Sequence, residues 1–185
     1  FPKAGLLETF ITDGLRSLIK NIKAKNMEER TMRWPGHVAQ MRLLREMGLF
    51  QEEKRNLGGV GAVPRDIVCD LLFPMWKMEP ENGDRDITIM QVEVSGYKGR
   101  DFVAYTWDLW DIFDEKTWKN SMGRCTGFSC SIFAQAIVKG MIKEKGVIAP
   151  EKLAASDELY DFVMAEQRSR GINYEESIKI HRNAR

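Results

Sequence analysis

The stretch Thr31 to Phe50, TMRWPGHVAQMRLLREMGLF, brings an arginine, a glycine turn and a histidine close together. Thr31 to Trp34 reads as a short strand, and Pro35-Gly36 is a breaker pair that turns the chain. From His37 the apolar residues Val38, Met41, Leu44 and Met47 recur at helical intervals, and Gly48 stands where a helix would stop. Arg33 therefore sits beside a turn at Gly36 that opens a helix, whose first amide N–H groups have no internal partner. Such a corner suits a small anion, a carboxylate for instance. An ordinary corner, with Arg33 solvated and His37 capping, fits the same residues.

A second corner of this kind precedes a later helix. In SMGRCTGF, Gly123 and Arg124 stand at a helix entrance, with Thr126 as an N-cap or hydroxyl donor. Two corners could hold the two ends of a zwitterion, and both could equally be plain caps.

The elements that would position these residues follow from periodicity. Thr12 is a candidate cap, with Asp13 in the first turn of a helix carrying Leu15, Leu18, Ile19 and Ile22. QEEKRNLGGVGA reads as a flexible loop, since its glycines lack the spacing and the preceding apolar strand of a nucleotide loop. Pro64 opens a helix with Ile67, Val68, Leu71 and Leu72 on its core face, and Pro74 ends it. Ile87–Ser95 and Phe102–Leu109 form a β-hairpin with a longish loop over GYKGR. An aromatic hairpin of this sort invites edge pairing, so a homodimer through the sheet is expected. Ser156 caps a last helix running to Arg170, with Gly171 as its stop. The expected fold is α/β in the α+β sense, a largely antiparallel or mixed sheet covered by helices.

Composition narrows the function. The 185 residues suit one domain, taken as 1–171, with 172–185 polar enough to form a flexible tail. With 28 basic and 27 acidic residues there is no electrostatic case for nucleic acid. No apolar run approaches the ~18 residues of a membrane span, and no secretory signal pattern opens the chain. Cys69, Cys125 and Cys130 lack metal-ligand spacing, and a reduced, cytoplasmic setting is expected. No Ser-His-Asp arrangement is visible.

Four stretches in order carry a resemblance: LLETFITDGLRSL, TMRWPGH with MRLLREMGLF, IVCDLLFPMWKM, and SMGRCTGFSCSIFAQAIVKGMIKEKGVIAPEKL. Together they resemble the substrate domain of the saccharopine dehydrogenase and lysine 6-dehydrogenase family. The resemblance implies an oxidoreductase acting on the CH–NH group of an amino acid such as lysine or saccharopine, with NAD or NADP as hydride acceptor. It also implies that a Rossmann domain stands outside this chain, which begins at Phe1 and holds no G-x-G-x-x-G, so a domain fragment without turnover of its own is expected. By the same resemblance His37 handles a proton or orients the substrate. Arg33 and Arg124 recognise carboxylate through the bidentate guanidinium fork, with Gly36 and Thr126 beside them. Asp13 or Glu8 would receive a distal ammonium. Cys125 departs from the hydroxyl residue the family leads one to expect. A catalytically idle structural or dimerising module, or a carboxyspermidine-type reductase branch, are the other readings that fit.

Overall fold

The computed structural model describes Phe1 and residues 3–182. In chain order the elements begin with β1 (Glu8–Ile11), α1 (Leu18–Asn21), β2 (Arg30–Arg33) and α2 (His37–Glu46). They continue with β3 (Arg55–Leu57), β4 (Val60–Ala62), α3 (Pro64–Trp76), β5 (Ile87–Lys98) and β6 (Asp101–Ile112). The last are α4 (Ser121–Val138), α5 (Pro150–Leu153), α6 (Asp157–Ser169) and β7 (Tyr174–His181). Helices mixed with antiparallel sheets make this an α+β fold, as the sequence patterns imply. The chain divides into two compact units where a single domain is expected. One comprises Phe1–Arg16 and Lys25–Asp84, the other Ser17–Ala24 and Arg85 onward.

In the first unit β1 and β2 form an antiparallel pair, from Glu8 opposite Arg33 to Ile11 opposite Arg30. Gly36, at φ 99°, then turns the chain into α2. That left-handed conformation favours glycine because a Cβ would crowd the backbone. No helix starts at Asp13, because Thr12 is used otherwise: its hydroxyl bonds Glu29 and lies 3.2 Å from Thr31 Oγ1, and of the expected helix only the single turn α1, which belongs to the second unit, forms. The glycine-rich loop is a tight hairpin. Gly58 and Gly59, at φ 62° and 89°, supply the two positive φ values that a two-residue turn between β3 and β4 requires. Pro64 occupies the first turn of α3 as expected, whereas Pro74 lies inside its last turn and the helix runs on to Trp76.

The second unit is built on a three-stranded sheet in the order β5-β6-β7. The β5–β6 hairpin is longer and tighter than GYKGR implies, with Lys98 opposite Asp101 across Gly99-Arg100. Residues 172–182 are not a loose tail. Tyr174–His181 pairs with β6 along its full length, from Leu109 opposite Tyr174 to Phe102 opposite His181. The charges of YEESIKIH hide an alternation that gives β6 a second ladder partner; positions 183–185 of the expected tail lie outside the described residues. Ser156 caps α6 by accepting from Leu159 N, and Gly171 follows its end at φ 83°. The core of this unit gathers Leu109, Phe113, Ile132, Ala136, Leu159 and Ile172, all almost fully buried.

Candidate functional site

The first corner is assembled from three elements. Arg33 ends β2, Gly36 makes the turn, and His37 is the first residue of α2. The His37 ring lies parallel to Phe10 of β1, with centroids 6.3 Å apart and planes at 13°. Arg33 is exposed and donates from Nη1 to Met32 O at 2.8 Å.

The helix entrance is occupied from within the chain. Glu8, opposite Arg33 in the β1–β2 register, accepts from Gly36 N at 3.1 Å and from Val38 N at 2.5 Å. The Val38 N–H holds the Glu8 carboxyl below the usual carboxylate range; the Gly36 N–H and the charge of His37 add to this, against a smaller opposing effect of desolvation. Glu8 is therefore an anion at neutral pH, placed where the helix amides favour one. No local signal in the sequence marks this role, because the cap comes from 28 residues upstream and is delivered only by strand pairing. Asp13 takes a different part: it pairs with Arg16 at 3.2 Å, both side chains being exposed.

The second corner is built differently from the first. Asn120 caps α4 by accepting from Gly123 N, and Asp86 accepts from Ser121 N at 2.7 Å and Met122 N at 2.8 Å. The helix thus starts well before Thr126, whose hydroxyl donates back to Met122 O inside it. Gly123 is small because a Cβ would collide with the capping Asn120 oxygen.

Arg124 points into the interior. Its side chain is 8% exposed and its partner Asp111 7%. It donates to Asp111 Oδ1 and to Ile112 O, each at 3.1 Å, and reaches Arg170 O at 3.5 Å. The other Asp111 oxygen accepts from Ser121 Oγ at 2.6 Å, which also bonds Thr88 Oγ1 at 2.7 Å. Cys125 Sγ stands 3.6 Å from the same oxygen, and burial, reinforced by the Asp111 charge, pushes its thiol pKa up. A guanidinium with these partners holds α4 on β6, and the Thr126 hydroxyl is turned back into the helix, so neither stands at a helix mouth as the sequence pattern implies. The signal that could have found this is the period of β6. Asp111 shares a face with Leu109, and a carboxylate on a buried face demands a buried cation.

Among the described residues no group of three or more His, Cys, Asp or Glu side chains could hold a metal ion. No helix among them is long and apolar enough to cross a membrane. Residues 10–172 match the family model described as the saccharopine dehydrogenase C-terminal domain.

Proposed function

Because the chain belongs to the saccharopine dehydrogenase C-terminal domain family, we propose that it supplies the substrate side of an NAD(P)-dependent oxidoreductase acting on the CH–NH group of an amino acid. The observation that carries this reading is the corner formed by Arg33, Gly36, His37 and Glu8. Cross-strand partners stand roughly 5 Å apart at Cα. Arg33 and Glu8 are such partners, which puts one cation and one anion on neighbouring strands for the two charges of an amino acid. Arg33 binds the carboxylate through its fork. Glu8, kept anionic by the α2 amides, receives an ammonium in place of Asp13, which is paired to Arg16. His37 orients the amine and exchanges its proton, a task that suits an imidazole at neutral pH.

The dinucleotide of the family supplies the hydride acceptor. Among the described residues the glycine-rich stretch does not fit it. Gly58 and Gly59 close a β-hairpin instead of opening a helix under a phosphate, so this loop is no dinucleotide cradle. A second reading, a structural module of the same fold, is favoured by Arg124, the one predicted carboxylate ligand that is wholly consumed by internal contacts.

The test is thermal stability of the chain with lysine, saccharopine and carboxyspermidine, each against Arg33→Ala. A ligand that binds only the folded state stabilises it by about 2.7 kcal/mol at a hundred times its Kd. A rise with one ligand that disappears in the variant supports the substrate reading and selects the branch. A rise that survives Arg33→Ala removes this corner from the account, and no rise with any of the three favours the structural module.

A further inference from the structure

An imidazole that exchanges a proton with a substrate must be aimed, and the usual device is a hydrogen bond on one ring nitrogen. Among the described residues no hydrogen bond reaches the ring nitrogens of His37. What meets the ring is Phe10, with centroids 6.3 Å apart and planes at 13°, inside the range of offset-stacked aromatic pairs. Both residues are half-buried, and His37 is the first residue of α2.

The pleat of β1 places Phe10 for this contact. Side chains along a strand alternate between faces, and residues opposite one another in antiparallel register share a face. Glu8 and Phe10 therefore lie on one face with Arg33 and Thr31, their partners on β2, while Thr9 and Ile11 lie on the other. Burial follows the alternation: Glu8 and Phe10 are half-buried, Thr9 and Ile11 exposed. Along this face β1 holds the start of α2 twice. Glu8 takes the amides on either side of His37, at Gly36 and Val38, and so fixes the backbone. Phe10, one side-chain position further along, meets the ring on the face that carries Arg33 and Glu8. The backbone contacts alone do not aim a side chain, because χ1 keeps its staggered alternatives.

We propose that Phe10 is a positioning residue, whose ring holds the His37 imidazole over the β1–β2 face and leaves both nitrogens for the substrate amine. The proposal rests on the reading of this corner as an amino-acid site. Phe10 acts through His37 and not on the substrate itself. A stacked aromatic pair favours its own geometry by a factor of roughly 2 to 13. Removing the Phe10 ring should lower the stacked population of His37 by that factor.

NMR of the isotopically labelled chain tests this. Three-bond couplings of His37 read its χ1, and hydrogen-exchange protection of the Gly36 and Val38 amides reads the backbone. The parent should show a single His37 rotamer and Overhauser contacts between the two rings. Phe10→Leu should average the couplings while both amides stay protected, and Phe10→Tyr should restore the single rotamer. Phe10→Met serves as the ring-free variant should Phe10→Leu fail to fold. Saccharopine, the probe ligand, should shift the His37 ring in the parent and bind roughly 2- to 13-fold more weakly to Phe10→Leu.

A single rotamer that survives loss of the ring overturns the positioning role, as does equal saccharopine affinity in parent and Phe10→Leu. Loss of amide protection in both ring-free variants overturns it too, by showing a merely structural contact. Saccharopine that leaves His37 unmoved in the parent refutes the amino-acid corner, and the proposal with it, even where the couplings respond to Phe10.

Discussion

Replacing Arg124 with alanine separates a structural from a substrate-binding arginine. The change removes three donor contacts, to Asp111, Ile112 O and Arg170 O, from a pair whose side chains are almost fully buried. Breaking a buried pair by deleting one partner costs about 3–5 kcal/mol, because the remaining charge is left uncompensated. At ~2–4 °C per kcal/mol for a chain of this size, the midpoint should fall by roughly 6–20 °C. The assay is thermal unfolding, with urea unfolding for the free energies, both followed by circular dichroism and run with Asp111→Ala and the double variant. The cycle should return a coupling of about 1–3 kcal/mol, since the residues touch directly. Arg33→Ala, at an exposed position, should stay within about 0.5 kcal/mol of the parent. A cost below ~1 kcal/mol for Arg124→Ala, under half the buried-pair range, together with loss of amino-acid binding, would refute the reasoning.

Further outcomes follow from the same geometry. The Val38 N–H holds the Glu8 carboxyl below the usual carboxylate range, so its cap on α2 is complete at neutral pH and is lost as pH falls through that lowered pKa. The Gly36 and Val38 amide resonances should report this titration, and Glu8→Gln should abolish it. Cys125, its thiol pKa raised by burial and by Asp111, should react with iodoacetamide at pH 8 well after the exposed Cys130, as read by peptide mass spectrometry. Gly99→Ala should destabilise by about 1–2 kcal/mol through its φ of 67° alone, since a Cβ there meets nothing within 4 Å. Gly96→Ala, equally open but without positive φ, should be neutral or slightly stabilising in the same denaturation series.

What the sequence made legible is local. The turn at Gly36, the helix from His37 and the Ser156 cap rest on contacts within a few residues, and the strand at Thr31 and the β5–β6 hairpin are marked by their own residue types and turn glycines. What it concealed depends on pairing across the chain. Glu8 reaches α2 only because β1 lies beside β2. β7 exists because β6 offers a second edge, although its own charges suggest a frayed end. Arg124 resembles Arg33 in its surroundings along the sequence, yet Asn120 and Asp86 start α4 early enough to turn it into the interior. A helix that begins a turn sooner carries an arginine from its mouth to its buried flank, and local pattern does not register the difference.

The account turns on whether an amino acid binds between Arg33 and Glu8. Titration of isotopically labelled chain with saccharopine, following the Arg33 side-chain N–H, the Gly36 amide and the His37 ring by NMR, reads this most directly. The expected result is a saturable shift of all three that is absent in Arg33→Ala. Saturable binding that leaves these signals in place, or that persists unchanged in the variant, would contradict it.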